Sequence, residues 1–534
     1  MTSRDVVQVY TFEEAEGKTV FELGGKGYGL VEMSKIGLPV PPGLIIPTSV
    51  CKEFYKMGQL PPNLIDEVLL KLKKIEEKVN KRFGSPTDPL LLSVRSGAPY
   101  SMPGMMDTIL NLGLNDVNVR ALSEKTENKN FAYDLYFRLI EMFGTTVMGV
   151  DKNSFNVIRS EYQLSSGISE VPIENYLQAI SKAKNLIKDK SGFEFPQDPK
   201  EQLQMAITMV FKSWNNPRAK LYRKMYKIPD DACTAVVLQV MVFGNMGLHS
   251  GSGVCFTRNP STGGDELYGE YLKGAQGEAI VAGAQVPQPL DALKSELPQV
   301  YDELRKYAKI VERHFKDMQE IEFTVQEGRL YILQTRMGKR TPFAALKIAV
   351  DLVKEGVITK QEAITRVDLN ELNKNLLKVI NPTFKGKPIL KGLGASPGVA
   401  SGKVVFKIDD AVNYSSRGES IILVRPETSP EDLRGVSVSQ GVLTAKGGIT
   451  SHAAVVMRGL GKPAVVGAQK MKIDLENEYF SCNGIVVRKF DYITIDGNDG
   501  CVYLGVVPTI EQKESQEYKE FLEWLRDYKV SNSK

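Results

Sequence analysis

The chain has 534 residues, 42% hydrophobic and 25% charged, with 68 Lys and Arg against 64 Asp and Glu for a net charge of +4. That length exceeds one ordinary hydrophobic core, so several compact units are expected, and the balanced charge argues against nucleic-acid or anionic-membrane partners. Five cysteines without a CxxC pair argue against a disulfide framework or structural zinc site; acidic residues where a signal peptide would be apolar, and no run of ~18 apolar residues, predict a cytoplasmic protein.

Taken in chain order, Val6 to Phe12 alternates and predicts a strand. FELGGKGYGLVEMSKIGLPVPPG predicts a glycine-rich turn carrying Lys26, then a helix and a proline-rich turn. Leu44 to Pro47 reads as a short strand, and Ile65 to Phe83, rich in Lys and Glu at helical spacing, as a solvated helix. Leu90 to Val94 reads as a buried strand running into RSGAPYSMPGMMDTILNLG, which sets Arg95 at a strand end before a loop with Gly97 and Gly104. Asn115 to about Arg223 turns helical, as an inserted subdomain. Ala235–Phe243, Gly253–Thr257 and a hairpin over Ile321–Thr335 return to strand. No regular βαβ period runs through this part, which favours an α+β arrangement over a doubly wound sheet.

Thr341 to about Pro382 reads as helical and polar, with Thr359-Lys-Gln-Glu362 as a capping box. From Gly386 to Val507 short strands dominate (KVVF, SIILV, GVLTA, AVVG, YITID, CVYLG), with a helix over His452–Gly459. The tail from Thr509 reads as one amphipathic helix. The expected organisation is an α+β multidomain chain: a nucleotide-binding domain over 1–340 with a helical insert over about 115–223, a helical linker over 341–382, a compact β/α domain over 383–507, and a linker helix over 508–534.

Of the three histidines, His452 stands in GVLTAKGGITSHAAVVMRGLGKPAVVG. A strand ends at Gly447-Gly448, Thr450 and Ser451 are good N-cap residues, and Gly459 or Gly461, then Pro463, close a short helix. His452 therefore falls in a first helical turn, where unpaired N–H groups and the positive dipole end suit a phosphate carried on an imidazole. An imidazole is also a competent nucleophile near neutral pH.

Four earlier segments can build a nucleotide site. Lys26 lies in GGKGYG, where glycines admit a phosphate and lysine supplies charge. Arg95 can grip a phosphate bidentately. SGSGVCFTRNPSTGGDELYGEY carries Arg258 and Glu270. In QEIEFTVQEGRLYILQTRMGKR, Glu320 and Glu322 share one face of a strand. A three-residue turn Gln326-Glu327-Gly328 brings Gln334 and Arg336 to that face as a magnesium–phosphate set. A two-residue turn puts them on the opposite face.

GGITSHAAVVMRGLGKPAVVG closely resembles the phosphohistidine signature of the dikinase family that includes pyruvate phosphate dikinase and phosphoenolpyruvate synthase. VRPETSPEDLRGV and KGLGASPGVASGKVVF resemble the same family's phosphohistidine domain. The four earlier segments resemble, in order, its ATP-grasp domain, and Thr-Ser-His and SMPGMMDTILNLGL resemble the pyruvate phosphate dikinase branch. The likeness spans about Tyr10 to Val530.

The resemblance implies an ATP-grasp domain with a helical insert, a helical linker and a swivelling phosphohistidine domain. It implies that Lys26 and Arg95 contact ATP phosphates, Gln239 lies on the adenine side, Glu320 and Glu322 hold Mg2+, Gln334 contacts phosphate and Arg336 stabilises the transferring charge. Glu320 stands where the family has Asp, with a longer reach. Thr450 matches a threonine that is phosphorylated in plant relatives.

The implied relay passes the two terminal phosphates of ATP to His452, releasing AMP. Inorganic phosphate then leaves with the outer phosphoryl as pyrophosphate, and the remaining phosphoryl goes to pyruvate, forming phosphoenolpyruvate. The alternatives are a phosphoenolpyruvate synthase-like dikinase, with water as second acceptor, or an ATP-binding phosphocarrier or regulatory subunit. Family chains continue into a barrel that binds pyruvate or phosphoenolpyruvate. EFLEWLRDYKVSNSK resembles the linker helix and first barrel residues. The expectation is a shortened form competent only for the ATP half-reaction, or a natural short form with a separate barrel subunit. A homodimer is expected through surfaces largely in that barrel.

Overall fold

The computed structural model describes residues 8–100, 102, 105–164, 171–277, 287–368, 378–511 and 515–532. Gly104 and the start of the strand expected from Val6 lie outside the described residues. The fold mixes helices and strands in two compact units, one of Met1–Ser250 with Thr324–Arg336 and one of Gly251–Phe323 with Met337–Lys534. No helix among the described residues is long and apolar enough to cross a membrane.

In the first unit a five-stranded sheet is built from β1 (Tyr10–Thr11), β2 (Gly43–Ile46), β3 (Leu92–Gly97), β4 (Thr108–Leu112) and β5 (Ala235–Val240), in the order β1-β2-β5-β3-β4. All its pairings are antiparallel. The helix Leu64–Val79 is more than the solvated helix expected. Leu64, Val68, Leu72 and Ile75 form an i, i+4, i+8, i+11 stripe and are buried in the core. Its lysines and glutamates occupy the outer face. Among the described residues, five helices between Asn118 and Ser213 bury Phe137, Phe143, Ile187 and Phe211, among others, in the same core.

The glycine-rich turn expected at GGKGYG is a kink inside a helix, Val20–Lys35. Thr19 and Glu22 form a capping box that starts the helix before the glycines. Gly24 then takes φ 68° and ψ 160°. Only glycine fits there, because a Cβ on Gly24 would lie 1.6 Å from the carbonyl oxygen of Gly97. The kink seats the helix on the end of β3, and the Gly25 N–H donates to the Ala98 carbonyl at 2.8 Å.

In the second unit β6 (Gly251–Phe256) lies between β7 (Tyr268–Lys273), to which it is antiparallel, and β8 (Gln319–Gln326). The helix Pro342–Lys354, expected to be polar, buries Leu346, Ile348, Val350 and Leu352 in a core shared with Phe521 and Trp524 of the tail helix Gln516–Asn532. The capping box at Thr359 and Glu362 forms as expected. An eight-stranded sheet follows, with Val399–Val405, Ile421–Arg425, Gly441–Thr444 and Ala464–Val466 running parallel at its centre. Its apolar residues feed two clusters, one containing Val404, Leu443 and Val465 and the other Leu423, Val442 and Val466. The alternation of side chains along each strand divides them so.

β8 continues through a turn into β9 (Arg329–Met337). The turn has two residues, Glu327 (φ 49°) and Gly328 (φ 77°), both left-handed as in a type I′ hairpin. The three-residue turn expected from the sequence is therefore corrected. Gln326 faces Arg329, so Ile321, Phe323 and Val325 share a face with Leu330 and Ile332, and all five are buried. Along β9 the buried positions are Leu330, Ile332 and Thr335, so the alternation shifts after Ile332, and Gln334 and Arg336 are half-buried.

Candidate functional site

The first unit gathers part of the expected nucleotide set at the end of β3. The Arg95 Nη2 donates to Gln334 Oε1 at 3.2 Å. Both side chains, and that of Arg336, are half-buried. Lys26 follows the Gly24 kink directly, on the helix seated against Gly97, and Gly29 of the same helix packs against Thr335 of β9. Lys26, Arg95 and Gln334 are thus held around one strand end. Gln239 differs, being buried in β5 with its Nε2 donating to the Pro41 carbonyl at 3.1 Å.

In the second unit Arg258 serves the scaffold. Its Nε and Nη2 donate to Glu312 at 3.0 and 2.8 Å, and Nη2 also to Glu355 at 2.7 Å. Glu270, the other charge of that segment, reaches the histidine loop. Its Oε1 accepts from the Ile449 N–H at 2.5 Å, and its Oε2 from the Thr450 N–H at 3.1 Å and the Thr450 hydroxyl at 2.6 Å. Gly448 leaves room for that carboxylate, since a Cβ there would lie 2.0 Å from Glu270 Oε1. Burial raises the Glu270 carboxyl above the usual carboxylate range, opposed by these hydrogen bonds.

His452 opens the helix His452–Gly459, with Ser451 as an N-cap that makes no side-chain cap bond. Its Nδ1 is buried and has no hydrogen-bond partner among the described residues. Nε2 is therefore the nitrogen left to meet a ligand. Burial lowers the imidazole below the ordinary histidine value, opposed by the carboxylate of Asp432. Asp432 is held in turn by the Ser429 N–H at 2.9 Å and lies 3.6 Å from the Arg425 guanidinium.

Arg458, two turns along that helix, was passed over in the sequence. It is fully buried, its Nη1 donates to the Ala395 carbonyl at 3.2 Å, and its guanidinium lies 5.3 Å from the Phe256 ring centroid. Its Nε and Nη2 have no hydrogen-bond partner among the described residues. Burial lowers its pKa, while the charges of Tyr268, Glu320 and Glu270 oppose that shift. The buried Glu320 carboxylate also helps burial to push the Cys255 thiol up. A helical residue six places after a phosphate-type N-terminus, arginine in an otherwise apolar run, was the signal available.

Residues 57–302 and 297–356 match the family described as pyruvate phosphate dikinase, AMP/ATP-binding domain, and residues 418–500 match the PEP-utilising enzyme mobile domain. This chain belongs to the pyruvate phosphate dikinase family. It is 46% identical to pyruvate, phosphate dikinase of Clostridium symbiosum over 98% of this chain and 60% of that protein. It is 46% identical to the Rhizobium meliloti protein of that name, over 97% of this chain and 60% of that protein, and 44% identical to the Entamoeba histolytica one, over 98% and 60%. The chain thus spans about 60% of the length of these relatives.

An imidazole nitrogen is a nucleophile only while it is unprotonated. With the folded pKa of His452 below the ordinary value of 6.5, that imidazole stays unprotonated to lower pH than a free histidine. The rate of phosphoenzyme formation should therefore stay level as pH falls to about the ordinary histidine value and drop only below it. A stopped-time labelling series across pH, with native fold checked at each point, measures this. A midpoint above the ordinary value would contradict it. The sign for stability is the same. The unfolded chain binds this proton first, so the contribution of His452 is complete at high pH and lost as pH falls through the folded pKa.

Proposed function

We propose that this chain is a phosphotransferase of the pyruvate phosphate dikinase type, in which Mg-ATP phosphorylates His452 and AMP is released. This is the first part of the conversion of ATP, phosphate and pyruvate to AMP, pyrophosphate and phosphoenolpyruvate. The observation that carries it is His452 itself: a neutral imidazole at the first residue of a helix, with Nδ1 buried. The helix N-terminus favours the phosphate charge that the imidazole acquires.

In this reading residues 1–340 form an ATP-grasp domain, 341–382 a helical linker and 383–507 the phosphohistidine domain. Lys26, Arg95 and Gln334 grip the phosphates, and the Arg95–Gln334 hydrogen bond pre-orients both side chains. Arg336 neutralises charge on the group in transfer, and Gln239 sets the wall on the adenine side. Glu320 and Glu322 are hard oxygen donors on one face of β8 and fit Mg2+, which usually takes one or two carboxylates with substrate phosphates. The ion would supply charge neutralisation on the phosphates. Nε2 of His452 attacks the β-phosphorus, the bond to the α-phosphate oxygen breaks, and AMP departs with that oxygen. Phosphate then accepts the outer phosphoryl, and pyruvate would accept the remaining one at a site beyond the residues assigned here. Thr450, held by Glu270, is positioned to fix the loop that presents His452.

The test is incubation of the chain with Mg2+ and β-labelled ATP. The expected result is acid-labile, base-stable label on His452 with one AMP released per label, and neither when Mg2+ is chelated. Bound ATP without label under these conditions would assign the chain to nucleotide binding alone.

A further inference from the structure

Away from the nucleotide set, the first unit carries a cleft of about 740 Å³ lined by residues of the helices Thr48–Met57 and Pro217–Tyr226. Neither Lys26, Arg95, Gln334 nor Arg336 lines it. Arg223 builds its base and is 2% exposed. Its Nε donates to Asp230 at 2.7 Å, its Nη2 to Asn215 Oδ1 at 3.2 Å and its Nη1 to the Trp214 carbonyl. The guanidinium also lies 4.2 Å from the Trp214 ring centroid. Every nitrogen of this arginine is thus engaged within the protein.

With Arg223 paired to Asp230, four lysines face one remaining carboxylate, Asp231. Lys52 and Lys56 stand four apart on one helix, and Lys220 and Lys224 four apart on the other. All four are exposed and line the cleft. Side chains four apart on a helix are neighbours, and like charges there repel. Each helix therefore turns a repelling pair into the same concavity. Among the described residues none of these four lysines has an ion pair. On the helix Leu64–Val79, by contrast, Lys71 and Lys74 pair with Glu14 and Lys78 with Glu13.

We propose that this cleft binds a chain of two or more phosphates, carried by an inorganic oligophosphate or by a nucleotide. Lysine meets phosphate as a point charge, whereas a planar carboxylate is best met by the fork of an arginine. The one arginine of the cleft is already engaged. Lysines four apart are separated by about 6 Å along the helix axis, and the two pairs belong to different helices. One orthophosphate can serve one pair, while a chain can serve both. The bound chain relieves the repulsion within each pair, and the volume is that of a small-molecule site. None of this depends on the role given to His452.

The experiment is lysine acylation of the full native chain at low salt, with Mg2+ chelated and each lysine followed by mass spectrometry. Tripolyphosphate, ADP and orthophosphate are the ligands. With tripolyphosphate at ten times its half-saturating concentration, Lys52, Lys56, Lys220 and Lys224 should react about tenfold more slowly, since only the free fraction reacts. Lys73 and Lys129, exposed elsewhere in the same unit, should keep their rates, and Lys26 reports on the nucleotide set separately. Orthophosphate should need at least about tenfold more for half-saturation, and added salt should weaken the protection. Protection by ADP as well identifies a nucleotide's phosphates as a ligand; protection by tripolyphosphate alone identifies the inorganic chain. Lys52→Gln combined with Lys220→Gln removes one lysine of each repelling pair, so the fold should hold. Half-saturation at Lys56 and Lys224 should then need at least about tenfold more tripolyphosphate. No protection of the four lysines, equal protection of Lys73 and Lys129, protection confined to Lys26, equal half-saturation by orthophosphate, or an unchanged double variant would each overturn the proposal.

Discussion

Replacing His452 with alanine should abolish phosphoenzyme formation while leaving ATP bound. The expected loss of acid-labile label is complete, because no other residue of this loop is a histidine and a phosphoester on Thr450 or Ser451 would be acid-stable. The remaining two histidines stand elsewhere: His314 on the helix Pro298–Phe315 and His249 beside the turn of β8 and β9. ATP binding should survive, because Lys26, Arg95 and Gln334 belong to the first unit and are held by contacts within it. The measurement pairs equilibrium binding of ATP with acid-labile label from β-labelled ATP. His452→Asn refines it. Asparagine restores a polar atom near the Nδ1 position without a nucleophilic nitrogen, so it should bind ATP and form no label even where alanine perturbs the loop. Label on either variant would remove His452 from the mechanism.

The position of His452 was legible because the local signals agreed: the glycines ended a strand, a serine took the N-cap position, and glycines with proline closed the helix, although the Ser451 hydroxyl makes no cap bond. The hairpin register was not. EGR after a strand can turn with two residues or three, and the two-residue form needs Glu327 at φ 49°, which a glutamate seldom adopts. The left-handed preference of Gly328 is common to both. At GGKGYG the sequence showed flexible glycines but not the Gly97 carbonyl that selects a kink within a helix. The Thr19–Glu22 capping box was the local signal that the helix began earlier. Arg258 and Arg458 show a different limit. An arginine in a glycine-rich segment or a short helix reads the same whether it faces phosphate or is buried, and only the partner brought by the fold decides. For Arg258 that partner is Glu312, 54 residues away.

That partner carries the largest stability effect expected here. Arg258 and Glu312 have side chains 0% and 1% exposed, and the Thr257 hydroxyl also donates to Glu312 at 2.7 Å. Together they fix the end of β6 to the helix Pro298–Phe315, while Glu355 ties the same guanidinium to the end of the helix Pro342–Lys354. Glu312→Leu leaves a buried guanidinium short of its principal partner and a hydroxyl without an acceptor. Breaking such a pair costs about 3–5 kcal/mol. Glu355→Leu should cost about 1 kcal/mol or less, because that side chain is 34% exposed and water replaces part of what it gives. Arg258→Met combined with Glu312→Leu should recover most of the loss, since it removes both charges and leaves apolar volume in their place. Denaturant unfolding followed by a probe in the second unit reads all three, and equal losses for Glu312→Leu and Glu355→Leu would refute the ranking. If Arg258 instead served ATP, the double variant would recover stability but not nucleotide affinity. The engagement of its Nε and Nη2 by carboxylates predicts that it recovers both.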